Sequence, residues 1–85
     1  EYVQARRKKS FGPIKISAEL EKRGVKDSLI SGEIDKFNDW EDLAEFCFKK
    51  RFPDGVSKDF QRLQKQKNFL LNKGFTFYQI ESVLG

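Results

Sequence analysis

Histidine and methionine are absent from the 85 residues, cysteine occurs once and proline twice. Without histidine there is no imidazole for a catalytic triad or for ordinary acid–base work near neutral pH, and no Cys–His zinc site. A single thiol, Cys47, forms no internal disulfide, so stability has to come from packed side chains. On an apolar helical face such a thiol reads as an inert core residue. No apolar run reaches membrane-spanning length, and no signal peptide is visible. The missing methionine reads as a fragment of a longer protein, and a reducing, cytoplasmic compartment is the simplest setting. Phosphate-loop, nucleophile-elbow and metal-spacing motifs are also missing. The chain is therefore expected not to be an enzyme, and to need no cofactor, metal, membrane or small-molecule substrate.

What is present is phenylalanine, nine in all, and charge sorted into blocks. Residues 1–26 hold eight Lys/Arg against three Asp/Glu, residues 27–48 one against seven, and residues 49–73 eight against two. A net charge of only +4 conceals this segregation. Separate basic and acidic faces suit a macromolecular partner with a patterned surface.

One stretch of helix grammar occurs twice, fifty positions apart. Leu20-Glu21-Lys22-Arg23-Gly24-Val25 is followed by Ile30 and Ile34; Leu70-Leu71-Asn72-Lys73-Gly74-Phe75 is followed by Ile80 and Leu84. Gly24 and Gly74 fit the left-handed position that ends a helix, where the lack of a Cβ removes the steric cost. Leu20 with Val25, and Leu70 with Phe75, make the apolar pair of a Schellman turn. Val25 and Phe75 then face Ile30 and Ile80 as hydrophobic staples of the next helix. Two copies with equal offsets predict a tandem helical repeat.

The remaining boundaries follow from caps. Residues 1–9 read as a helix ending in Arg6-Arg7-Lys8-Lys9, where cations complement the C-terminal dipole. Pro13 opens a helix to about Arg23, with a Glu19–Arg23 pair at i,i+4. A short helix spans about Asp27 to Lys36. Asn38 with Glu41 reads as a capping box for a helix whose core stripe is Trp40, Leu43, Ala44 and Cys47. Pro53-Asp54-Gly55 stop it, Ser57 is expected to cap a long helix to about Lys73, and Thr76 a last one to about Leu84. No segment alternates with period two. The fold class is all-α: tandem three-helix repeats in an elongated, curved arrangement. Residues 1–12 read as the end of a preceding repeat's helix and its connector, 13–52 as a three-helix repeat, and 57–85 as the first two helices of the following one.

On a helical wheel, Phe60, Leu63, Leu70 and Leu71 share the core side of the long helix. Lys58, Arg62, Lys65, Phe69 and Lys73 fall opposite, a basic stripe with one ring. Such a stripe suits phosphate neutralisation with stacking, or an acidic protein groove. The alternative is an ordinary solvated helix back, with Phe69 covered by a neighbouring repeat. Arg6-Arg7-Lys8-Lys9 with Phe11 forms a second basic site. Lys49-Lys50-Arg51 forms a third, which the helix dipole alone explains. Asp35, Asp39, Asp42 and Glu45 make an acidic surface around the Trp40 helix.

Phe11-Gly12-Pro13-x-x-Ile16-x-x-Glu19-Leu20-x-x-Arg23-Gly24-Val25 resembles the central signature of the RecX family of bacterial recombination regulators. Asp39-Trp40-x-x-Leu43-Ala44, Lys49-Lys50-Arg51-Phe52 and Phe69-Leu70-x-x-Lys73-Gly74-Phe75 follow in that family's order, so the resemblance spans nearly the whole chain. It implies tandem three-helix repeats, of which these would be the second and third. It also implies binding in the groove of the RecA–single-stranded-DNA filament, with inhibition of recombinase, ATPase and coprotease activity in the bacterial cytoplasm. On that basis Arg6, Arg7, Lys8, Lys9 and Lys15, with Arg62, Lys65, Phe69 and Lys73, are the expected contacts to RecA, to its DNA or to both. The rival readings are a stand-alone helix-turn-helix DNA-binding module and a helical adaptor without nucleic acid. The first is opposed by Asp27, Glu33 and Asp35 on the would-be reading helix.

Overall fold

The computed structural model describes all 85 residues, and every regular element in it is an α-helix. In chain order these are α1 (Tyr2–Lys8), α2 (Pro13–Lys22), α3 (Asp27–Asp35), α4 (Trp40–Arg51), α5 (Phe60–Lys73) and α6 (Phe77–Leu84). They form an elongated body of 42 × 18 × 18 Å.

Both glycine corners have the geometry their residues dictate. Gly24 and Gly74 lie at φ +83° and +97°. The amide of Val25 donates to Leu20 at 3.1 Å and that of Gly24 to Glu21 at 3.0 Å; Phe75 to Leu70 (3.2 Å) and Gly74 to Leu71 (2.9 Å) repeat the pattern. These are the two bonds of a Schellman turn, made twice. Thr76 then caps α6 through a full capping box with Gln79, which satisfies amides that the helix start leaves free.

Beyond these local bonds the two corners diverge. Nothing lies within 4 Å of a Cβ built on Gly24, whereas one on Gly74 would stand 2.7 Å from the Lys15 amide nitrogen. Gly12 meets the same corner from the other side: its Cβ would lie 2.6 Å from the Phe75 nitrogen. At φ −87° Gly12 has no conformational need to be glycine; it is small because backbone passes there. The left-handed residue of that connector is Ser10, at φ +64°. Gly12 donates to the Lys73 carbonyl (2.7 Å) and Ile14 to that of Gly74 (2.9 Å). Carbonyls left free at the end of α5 are thus satisfied by amides at and near the start of α2, and each helix end caps the other. Lys73 Nζ adds a bond to the Lys9 carbonyl at 3.3 Å.

The core is one connected cluster of eleven buried side chains, from Val3 in α1 to Ile80 in α6. Phe75, Ile16, Leu70 and Val3 are the largest that are fully enclosed, each worth about 1.5–3 kcal/mol of burial. Trp40 closes the middle, donating its indole N–H to the Ile34 carbonyl at 3.3 Å. In the second half, α4 packs chiefly on α6 and also on α5.

Several local expectations are corrected by tertiary demand. Asn38 does not cap α4: the cap is Asp39, with no side-chain cap bond, because its carboxylate is held by Arg7 at 2.6 Å. Ser57 does not cap α5, which starts two residues later with Asp59 accepting from the Arg62 amide at 3.0 Å. Ser57 is engaged by Gln66, whose amide side chain accepts from its N–H (3.0 Å) and donates to the Gly55 carbonyl (3.1 Å). Glu19 turns away from Arg23 and binds Arg6 in bidentate fashion (2.9 and 2.7 Å) together with the Tyr2 hydroxyl (2.7 Å). On α5 the inward residues are Leu70 and the polar Gln66, while Phe60 is 71% and Leu71 51% exposed. The wheel missed this because it counts apolarity, and Gln66 is inside to hold the 52–59 connector.

Candidate functional site

Three helices end at one place. The C-termini of α1, α4 and α5 bring Lys8, Lys9, Lys50, Arg51 and Lys73 around a half-open pocket of about 330 Å³, with Ser10, Cys47 and Phe69 completing its lining. Convergence follows from the joint just described, because the α5–α6 corner docks on the α1–α2 connector. Five cations line the pocket and no carboxylate does. None of the five takes part in any of the chain's four ion pairs. Burial pushes the Cys47 thiol above its ordinary pKa, opposed by the charge of Lys73, a hydrogen bond with Ser10 and the charge of Lys50.

Arg51 also borders a second cleft, of about 380 Å³, between the α4–α5 connector and α5. Arg62 and Lys65 line it, with Asp54 the one carboxylate. The two openings share Arg51 and make a groove along the α4–α5 side of the body. Of the residues expected as contacts, Lys8, Lys9, Arg62, Lys65, Phe69 and Lys73 lie in this groove.

Arg6, Arg7 and Lys15 do not. Arg6 is spent on Glu19 and stacks on Phe11 at 4.3 Å; the pairing draws the Glu19 carboxyl below the usual range, helped by the Tyr2 hydroxyl. Arg7 is a bolt through the fold, its side chain 11% exposed, paired to Asp39 and lying 4.2 Å from the Phe37 ring and 4.5 Å from Trp40. Lys15 reaches the Phe11 ring at 5.0 Å, a ring that also takes Lys73 at 4.5 Å. Phe69 is no free stacking platform, since its ring packs edge-on against Phe52 at 5.4 Å. It walls the pocket from a partly buried position.

Two groove residues were not singled out from sequence, Lys50 and Arg51. Their signal, the run at the end of α4, was visible but had a sufficient local cause in the helix dipole. Lys49 does turn away, to Glu45 at 2.9 Å. With Asp39 held by Arg7 as well, the acidic surface around Trp40 is partly neutralised within the chain. Nothing in the fold gathers three His, Cys, Asp or Glu side chains in a way that could hold a metal ion. No helix is long and apolar enough to cross a membrane.

A tandem helical-repeat protein with a basic groove where three helices end is the class that fold and surface define. Residues 39–84, which are α4 to α6, match the family model described as RecX, third three-helix domain. The chain belongs to the RecX family. It is 33% identical over 82 residues to the regulatory protein RecX of Halorhodospira halophila, covering 95% of this chain and 51% of that one. The RecX proteins of Legionella pneumophila (32%; 87% of this chain, 50% of that one) and Chromohalobacter salexigens (33%; 99% and 55%) are similar at the same level. The chain thus spans about half the length of these curated relatives.

Proposed function

We propose that this chain is the filament-contacting part of a RecX-type regulator. It binds the RecA–single-stranded-DNA filament through the basic groove and restrains strand exchange, ATP hydrolysis and coprotease activity. The observation that carries the reading is the convergence of five cations, without a carboxylate, at a joint fixed by mutual helix capping. A narrow body 42 Å long suits a helical groove, where it can touch successive filament subunits and gain from several weak contacts at once. The family membership supports the same reading, since the matched relatives bear the name regulatory protein. We also propose that the units are α1–α3 and α4–α6, because α4 packs with α5 and α6.

Binding to preformed RecA filaments and to bare single-stranded DNA, measured over a salt series, tests this. A regulator prefers the filament and slows its ATP hydrolysis. Equal affinity for both, with a steep salt slope, would instead make the chain a plain DNA-binding module.

A further inference from the structure

We infer that the pocket at the ends of α1, α4 and α5 is a site for closely spaced phosphates. The inference rests on the groove being the contact face, and names what one part of that face holds.

Charge balance is the first argument. Cations at helix C-termini often do no more than offset the dipole, and a helix end carries about half a negative charge. Three ends therefore account for roughly one and a half of the five positive charges, leaving about three and a half unmatched. No carboxylate lines the pocket to take them up. Lys73 does find one acceptor, the Lys9 carbonyl, but that oxygen is neutral. Arg51 lies 4.9 Å from the Phe52 ring, which leaves its charge uncompensated.

Ligand chemistry follows from density. One pocket of about 330 Å³ with this excess asks for several negative charges at short spacing. A protein carboxylate brings a single charge on its own side chain. A nucleic-acid phosphodiester also brings one charge, but consecutive phosphates repeat at every link of one chain, and an oligophosphate packs its charges more closely still. Lysines and an arginine are the usual cations for such groups, the arginine through its planar fork. Phe69 adds an apolar wall, suited to a sugar or base edge beside the phosphates. The neighbouring cleft, reached through the shared Arg51, offers Arg62 and Lys65 to the next phosphates along a strand.

The same chemistry comes from a nucleic-acid backbone or from a free oligophosphate, and the test separates them. Amide chemical shifts of the 85-residue chain are followed while a short oligothymidylate, inorganic tripolyphosphate or an oligoglutamate is added. Expected shifts cluster at Lys9, Ser10, Lys50, Arg51 and Lys73 with both phosphate compounds and stay small with oligoglutamate. Tighter binding of the oligothymidylate, with shifts continuing to Arg62 and Lys65, identifies a strand; tighter tripolyphosphate confined to the first pocket identifies a free oligophosphate. The double variant Lys50→Gln, Arg51→Gln alters two exposed side chains and should leave the fold intact. It should weaken the oligothymidylate at least about fivefold and lower its salt slope by about 1.4, the value for two contacts to a single strand. Equal response to oligoglutamate, an unchanged slope in the double variant, or no shift at these amides overturns the inference. Filament binding that persists after such a result leaves the regulatory reading standing, whereas phosphate binding without filament binding removes that reading and keeps the site.

Discussion

Replacing Gly24 and Gly74 separately by alanine tests how far the two corners, alike in their local bonds, differ in the assembled protein. Either change puts a Cβ on a left-handed residue, which costs about 1–2 kcal/mol. For Gly24 the account ends there, since no atom lies within 4 Å of the new methyl. At Gly74 the methyl would stand 2.7 Å from the Lys15 nitrogen, where ordinary contact begins at 3.4 Å. The start of α2 has to move away, and the bonds from Gly12 to Lys73 and from Ile14 to Gly74 stretch with it. Overpacking of this kind costs about 1–3 kcal/mol, and each buried amide left without an acceptor about 1–3 more. Gly74→Ala should therefore lose at least about 2 kcal/mol more than Gly24→Ala. For a chain of this length that is a further drop of roughly 8–16 °C in the melting temperature. Thermal unfolding by far-ultraviolet circular dichroism reads the difference directly. Asparagine sharpens it, because it tolerates the left-handed region: Gly24→Asn should recover most of the alanine loss and Gly74→Asn little. Equal melting temperatures for the two alanine variants would refute the mutual-capping joint.

Four further outcomes follow from the structure. Gly12→Ala, with its methyl 2.6 Å from the Phe75 nitrogen, should destabilise like Gly74→Ala although φ is ordinary there; a melting point within a few degrees of the parent would contradict the close backbone passage. Glu19 has a depressed pKa through Arg6, so its contribution is complete above the unfolded value of about 4.3 and is lost as pH falls through the lower folded one; Glu19→Gln should lower the melting temperature at pH 7 and flatten its acid fall, measured between pH 2 and 6. Cys47, only 4% exposed and with its pKa raised by burial, should react with iodoacetamide at pH 7.5 far more slowly than free cysteine, and a free-thiol rate would show that the pocket opens. Gln66→Leu should speed amide exchange at Ser57, whose N–H it would leave unpaired; protection equal to the parent would remove the clasp.

The corners were legible in the sequence because each is local: six residues, one glycine and two apolar partners carry all the information. The grouping of helices is not local in that way, since it depends on which helix faces meet, and α4 packs chiefly on α6. The basic run at the end of α1 shows the limit most clearly. Successive residues on a helix turn by about 100°, so four adjacent cations cannot share a role. Arg6 goes to Glu19 on α2, Arg7 to Asp39 at the start of α4, and only Lys8 and Lys9 reach the groove. At the end of α4 the same geometry works in reverse, sending Lys49 to Glu45 and delivering Lys50 and Arg51 to the pocket. Sequence supplied the cations, while the joint decided which of them act together.

Charge reversal within the groove is the most direct measurement of the central claim. Lys50→Glu, Arg62→Glu and Lys65→Glu together leave the joint, the core and Arg7 untouched, and co-sedimentation with preformed RecA filaments at physiological salt reads the result. Loss of binding with unchanged helicity is the predicted outcome. A triple variant that still sediments with the filament as the parent does would place the contact on another face and contradict the account.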